Sequence, residues 1–157
     1  KNEFYLKIIL IISFTALIFA YFVEHILGHQ PCNLCIIERI PYGISIILIA
    51  IIFIIKKNQK FLTLLLILTF VFSFTISIYH YGIEQGFFEE STVCSARNFT
   101  EHITKEDLLK ELSKKTISCK DVTFRFFGFS LTSINVVLSL LFIITLIKIF
   151  IKYEKNK

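Results

Sequence analysis

The sequence predicts an all-α integral membrane protein, a bundle of four transmembrane helices with two outer loops, the second containing a short amphipathic helix. Three observations predict it. The 157 residues are 55% hydrophobic with a mean hydropathy of +0.71, too apolar for a soluble domain. Four apolar stretches approach or reach the roughly 20 residues that cross a bilayer. The lysines of the short connecting segments gather on one side of those stretches. The net charge of +5 therefore reports topology, and no nucleic-acid partner is assigned.

The chain is expected to form a single membrane domain over 1–157. Its first span, 4–23, is interrupted only by Lys7, whose long stem can carry its ammonium to the interface. The stretch lacks an A-x-A-like exit and is long for a signal-peptide core, so it reads as a retained span. The chain has no Met, which predicts a processed or trimmed start. The second stretch, 40–55, holds sixteen uncharged residues and is short for a span. It becomes long enough if the helix begins upstream, giving 35–55 and placing Glu38 and Arg39 near headgroup level. Pro41 then falls early in the helix, where a kink is tolerated. The third and fourth spans are 61–79 and 126–147.

Nine of the 17 Lys and Arg residues lie at the termini and in the link between spans two and three, accompanied only by Glu3 and Glu154. Both termini are therefore expected in the cytoplasm. The outer loops, 24–34 and 80–125, carry all four cysteines, Cys32, Cys35, Cys94 and Cys119, in a compartment where disulfides persist. Three pairings are possible; proximity favours Cys32 with Cys35, leaving Cys94 with Cys119. In the second outer loop Thr104-Lys105-Glu106-Asp107 forms a capping box before Leu108, Leu109 and Leu112, which predicts an amphipathic helix over 105–114 lying on the membrane surface or on the bundle. Thr69, Ser73, Ser77, Ser130, Ser133 and Asn135 read as helix-packing groups. His25, His29 and His102 read as loop residues.

The stretch with the most chemistry is Pro31-Cys32-Asn33-Leu34-Cys35-Ile36-Ile37-Glu38-Arg39. Two thiols so close can close a disulfide and pass it on by exchange. If Cys35 lies on the first turn of a helix, Arg39 sits one turn below it on the same face. That cation and the helix N-terminus would favour a thiolate at Cys35.

This stretch resembles the signature of the disulfide-bond-formation protein B family, the bacterial membrane thiol:quinone oxidoreductases. The resemblance continues through Tyr79-His80-Tyr81-Gly82-Ile83-Glu84-Gln85-Gly86-Phe87-Phe88 up to Cys94, and resumes at Cys119 through Arg125-Phe126-Phe127-Gly128-Phe129-Ser130-Leu131. The chain has Phe124 where the family often has a tryptophan. The Cys-x-x-Cys precedes the loop cysteines, which argues against the related vitamin K epoxide reductase-like branch.

The resemblance implies a bacterial inner-membrane enzyme that reoxidises a periplasmic thioredoxin-fold dithiol oxidase (DsbA-like) and hands two electrons to a membrane quinone, ubiquinone or menaquinone. Cys94 would form the mixed disulfide with the partner, Cys119 would attack Cys32, and the released Cys35 thiolate would face the quinone. Arg39, Glu38 and His80, with Cys35, would line the quinone site. No metal site is assigned. Two rivals remain: a tetraspan protein that binds a metal through its thiols, and a non-enzymatic scaffold stapled by structural disulfides.

Overall fold

A computed structural model describes residues 2–55, 58–90, 94, 118–120, 125–126 and 128–155. The expected amphipathic helix over 105–114 and Phe124 lie outside the described residues. The elements in order are α1 (Asn2–His25), α2 (Asn33–Ile37), α3 (Ile40–Ile55), α4 (Gln59–Glu84), β1 (Arg125–Phe126), β2 (Phe129–Ser130) and α5 (Leu131–Lys155).

Four segments are long and apolar enough to cross a membrane: Asn2–His25, Asn33–Ile55, Gln59–Glu84 and Leu131–Tyr153. Only 22% to 33% of each is buried inside the bundle, which leaves most of every span to lipid. The protein is a four-helix integral membrane protein.

The second span is two helices in series. Pro41 has no N–H to offer the Ile37 carbonyl, so the chain tightens into a turn in which the Arg39 N–H bonds the Ile36 carbonyl at 3.1 Å, and regular winding resumes at Ile40. The third span runs five residues past its expected end, through Tyr79-His80-Tyr81-Gly82-Ile83-Glu84. Its close is a glycine cap: Gly86 has φ +77° and donates to the Ile83 carbonyl at 3.0 Å, and Phe87 donates to the Gly82 carbonyl at 2.8 Å. The bare Gly82 lets the Phe88 ring fold back onto the helix, since a Cβ there would stand 2.2 Å from that ring. The fourth span starts later than expected. Strands β1 and β2 pair antiparallel as a small hairpin, with Gly128 ahead of β2 at φ +86°. Ser130 then caps α5, accepting the Ser133 N–H at 3.2 Å.

Helices α4 and α5 form the main packing pair, α3 lies on α4, and α1 leans on α3 while barely touching α5. Leu6, Ile9, Ile49, Ile52, Leu66, Phe70, Phe142, Leu146 and Ile149 fill the half of the bundle away from the cysteines. Phe70 is its keystone, edge-on to Phe142 at 4.9 Å and to Tyr42 at 6.0 Å. Small hydroxyls let helices approach and bond one another: Ser13 with Ser45 across α1 and α3, and Ser73 with Ser139 across α4 and α5, both at 3.2 Å. Thr69 instead bonds its own backbone, at the Leu65 carbonyl.

Phe70→Ala is expected to destabilise the bundle by about 3 kcal/mol through lost contacts and a cavity. Reversible denaturation in mixed micelles measures it, and an unchanged midpoint would contradict the packing described.

Candidate active site

At the cysteine end, Cys32 is the N-cap of α2. Its backbone is extended (φ −72°, ψ 167°), and its Sγ takes the capping role an Asp or Ser oxygen usually fills, accepting the Cys35 N–H at 3.2 Å. Cys32 and Cys35 are free cysteines with their Sγ atoms 2.6 Å apart. Cys94 and Cys119 form a disulfide. Cys32, Cys94 and Cys119 are all buried, packed together with Leu34 and Ile83, so the two sulfur pairs share one pocket of core.

The turn at Glu38 and Arg39 sends these neighbours in opposite directions. Glu38 points inward and is 8% exposed. Arg39 reaches across to α1, where its guanidinium donates to the Glu24 carboxylate and lies 5.2 Å from the Tyr21 ring centroid. An Arg39 paired with the Cys35 sulfur, as helical spacing predicts, is not what the fold gives. The break before Pro41 takes Arg39 off the regular helix, and Glu24 supplies the counter-charge.

His80 is the hub of what Glu38 points into. Its Nδ1 lies 2.9 Å from Glu38 Oε1 and its Nε2 lies 3.5 Å from Cys32 Sγ. Asn135 of α5 donates to Glu38 Oε2 at 3.0 Å and to Ser77 Oγ at 2.7 Å, and the Tyr42 hydroxyl donates to Asn135 Oδ1. At the same ring nitrogen, Thr132 Oγ1 stands 3.3 Å from His80 Nδ1 and donates to Glu84 Oε1 at 2.6 Å. Among the described residues, Glu84 Oε2 is the buried side-chain oxygen without a hydrogen-bond partner.

Sequence reasoning named Glu38, Arg39 and His80 for this region and missed Glu24, Tyr42, Glu84, Thr132 and Asn135. Two of these left a signal. Asn135 is an amide inside an apolar span, assigned to packing above, and Glu84 falls four residues after His80 on the same helix face.

A cavity of about 510 Å³ joins these groups. Cys32, Cys35, Glu38, Arg39, His80 and Glu84 line its polar end, and apolar residues of α1 and α5 such as Ile12, Leu17 and Leu138 line the rest. It lies along the seam where those two helices meet least. An apolar chamber with a few convergent polar groups is the usual form of a small-molecule site. Cys32, Cys35 and His80 also place one ligand atom each within 4.8 Å of one another, a set that suits a thiophilic metal ion.

The Cys32 thiol, just outside the second span, is lowered to about 5. The largest cause is the hydrogen bond from the Cys35 side chain; burial opposes it, and His80 and the Cys35 N–H add to it. The lowered thiol is Cys32 at the cap, whereas helical spacing alone favoured a thiolate at Cys35.

The sequence matches the model of the family described as "Disulfide bond formation protein DsbB" over residues 2–149. It is also similar to an uncharacterized protein of Rickettsia prowazekii (strain Madrid E), 30% identical over 152 residues that cover 96% of this chain and 88% of that protein.

In the protein with its first pair reduced, Cys32 is expected to react with small alkylating agents at a rate that holds from neutral pH down to about pH 5 and falls below it. Mass spectrometry of the labelled peptide reads this directly. A midpoint near the ordinary thiol value would remove the activation.

Proposed function

The chain belongs to the disulfide bond formation protein DsbB family, membrane oxidoreductases of disulfide formation, and on that premise we propose that it reoxidises a periplasmic thioredoxin-fold dithiol oxidase and delivers the electrons to a membrane quinone. It would do so in the bacterial inner membrane, with both termini cytoplasmic and the cysteine end periplasmic. The observation that carries this reading is the cavity, which both Cys32 and Cys35 line and which runs between α1 and α5, two helices that touch little. A lipid-soluble acceptor reaches such a site from within the bilayer.

In this reading the partner's thiolate attacks Cys94, and the Cys94–Cys119 bond breaks as the mixed disulfide forms. The partner's second thiol resolves it, leaving Cys94 and Cys119 reduced. Cys119 then attacks Cys32 in its oxidised pair, and Cys94 displaces Cys32 as its own bridge re-forms. Cys32 and Cys35 are left as a dithiol. Cys32 is held as the thiolate by the Cys35 donor and by His80. His80, oriented by Glu38, is placed to hold the proton that thiol gives up. Arg39, neutralised by Glu24, fixes α1 against the start of the second span at the cavity's rim. A quinone, when bound, supplies the acceptor for the two electrons and two protons released as Cys32 and Cys35 close.

A second reading uses the Cys32–Cys35–His80 cluster as a metal site. Among the described residues that cluster brings three ligand atoms, one short of the four that close a structural zinc site.

The test is quinone reduction driven by a reduced thioredoxin-fold partner. Cys35→Ser is expected to abolish it, and Arg39→Ala to slow it by about tenfold or more, the scale of one lost charged contact. Both variants matching the wild type would refute the site, and stoichiometric zinc in the purified protein would favour the metal reading.

A further inference from the structure

We propose that Glu90 is a positioning residue for exchange between the two sulfur pairs: it holds the residues on both sides of Cys119, so that Cys119 stays within reach of Cys32 while the Cys94–Cys119 bond is open. The inference rests on the relay proposed above and is independent of what finally accepts the electrons.

Glu90 Oε1 accepts the Ser118 hydroxyl and the Lys120 N–H at 3.0 Å. The Lys120 N–H is shared with Ser118 Oγ at 3.1 Å. These three groups make a clamp around Cys119. It ties the same two stretches of chain as the disulfide does, because Glu90 stands four residues before Cys94 and the bridge spans 25 residues. The two ties respond differently to a partner. Attack of its thiolate on Cys94 breaks the sulfur–sulfur bond, and Cys119 leaves as a thiolate. The loop is then no longer closed covalently, and a sulfur free to spread over a larger volume loses effective concentration at its target. The clamp contains no sulfur, so that step leaves it intact. Its bonds need only an acceptor oxygen at Glu90.

The place in which Cys119 is held is the useful one. Its side chain is 2% exposed, packs in one cluster with Cys32 and lines the cavity that Cys32 and Cys35 also line. From there the Cys119 thiolate attacks Cys32 of the oxidised pair. The Cys32–Cys119 bond forms, the Cys32–Cys35 bond breaks, and Cys35 departs as the thiolate. Keeping two reacting sulfurs close is where a positioning contact gains rate.

The experiment uses the full chain in lipid nanodiscs with Cys35→Ser and Cys94→Ser, which leaves Cys32 and Cys119 as its thiols. The protein is equilibrated with reduced and oxidised glutathione. Each Cys32–Cys119 bond consumes one oxidised glutathione and yields two reduced ones. Alkylation and mass spectrometry give the bridged fraction, and from it the effective concentration of one thiol at the other. Glu90→Ala is expected to lower that concentration about fivefold, the scale of one net hydrogen bond. Glu90→Gln keeps an acceptor oxygen and is expected to hold it within about twofold. The pH midpoint of Cys32 alkylation is expected to be the same in all three, which separates positioning from a general loosening of the site. An unchanged bridge in Glu90→Ala would overturn the inference and leave the relay standing. So would a loss in Glu90→Gln as large as in Glu90→Ala, or a loss that comes with a shifted Cys32 midpoint. If the bridge forms in none of the proteins, the relay falls and this inference with it.

Discussion

Lipid offers no hydrogen bonds, so a carboxylate inside a membrane bundle survives only if protein groups surround it. Glu38 is the group on which this rule bears hardest. It is buried at the start of the second span, and its two oxygens are met by His80 from the third and Asn135 from the fourth. Tyr42 and Ser77 complete the shell around Asn135. Three helices are thereby fixed at one height and rotation, and the imidazole that reaches Cys32 is held by the same bonds. Removing one partner would leave the others unsatisfied, so the network stands or falls together.

On that scaffold the two sulfur pairs are handled differently. Cys94 and Cys119 are joined and buried against Leu34 and Ile83. Cys32 and Cys35 meet at the end of a cavity, one capping a short helix and the other inside it. The helix is short because Pro41 interrupts the span behind it. The same interruption turns Glu38 inward and Arg39 toward α1, so one missing N–H decides which charge faces the imidazole and which faces Glu24.

Much of this was legible in the sequence. Span number and approximate position follow from the apolar stretches, because lipid demands length and tolerates little else. The length of the second span placed Glu38 and Arg39 near the second thiol, whereas His80 entered only through the family resemblance. What was not legible depends on rotation about helix axes. A period of 3.6 residues placed Arg39 beneath Cys35, but the turn before Pro41 broke that period. Asn135 looked like an interhelical packing group and is one, yet its partner is the carboxylate that orients His80. The fourth span was drawn five residues too early, since Phe126 and Phe129 are as apolar as a helix start and the hairpin between them has no hydropathy of its own. Glu24 pairs with Arg39 across fifteen residues, a distance no local pattern spans.

The far half of the bundle carries one more implication. From Tyr42 to the opposite end, the core described is aliphatic side chains, phenyl rings and a few hydroxyls bonded to each other or to backbone. Among the described residues that core holds no buried carboxylate, imidazole or ammonium to pass a proton toward the other face. In the proposed relay, charge shifted at the thiols would stay close to one face and cross almost none of the transmembrane voltage. Turnover should accordingly be indifferent to whether the cell is energised or depolarised.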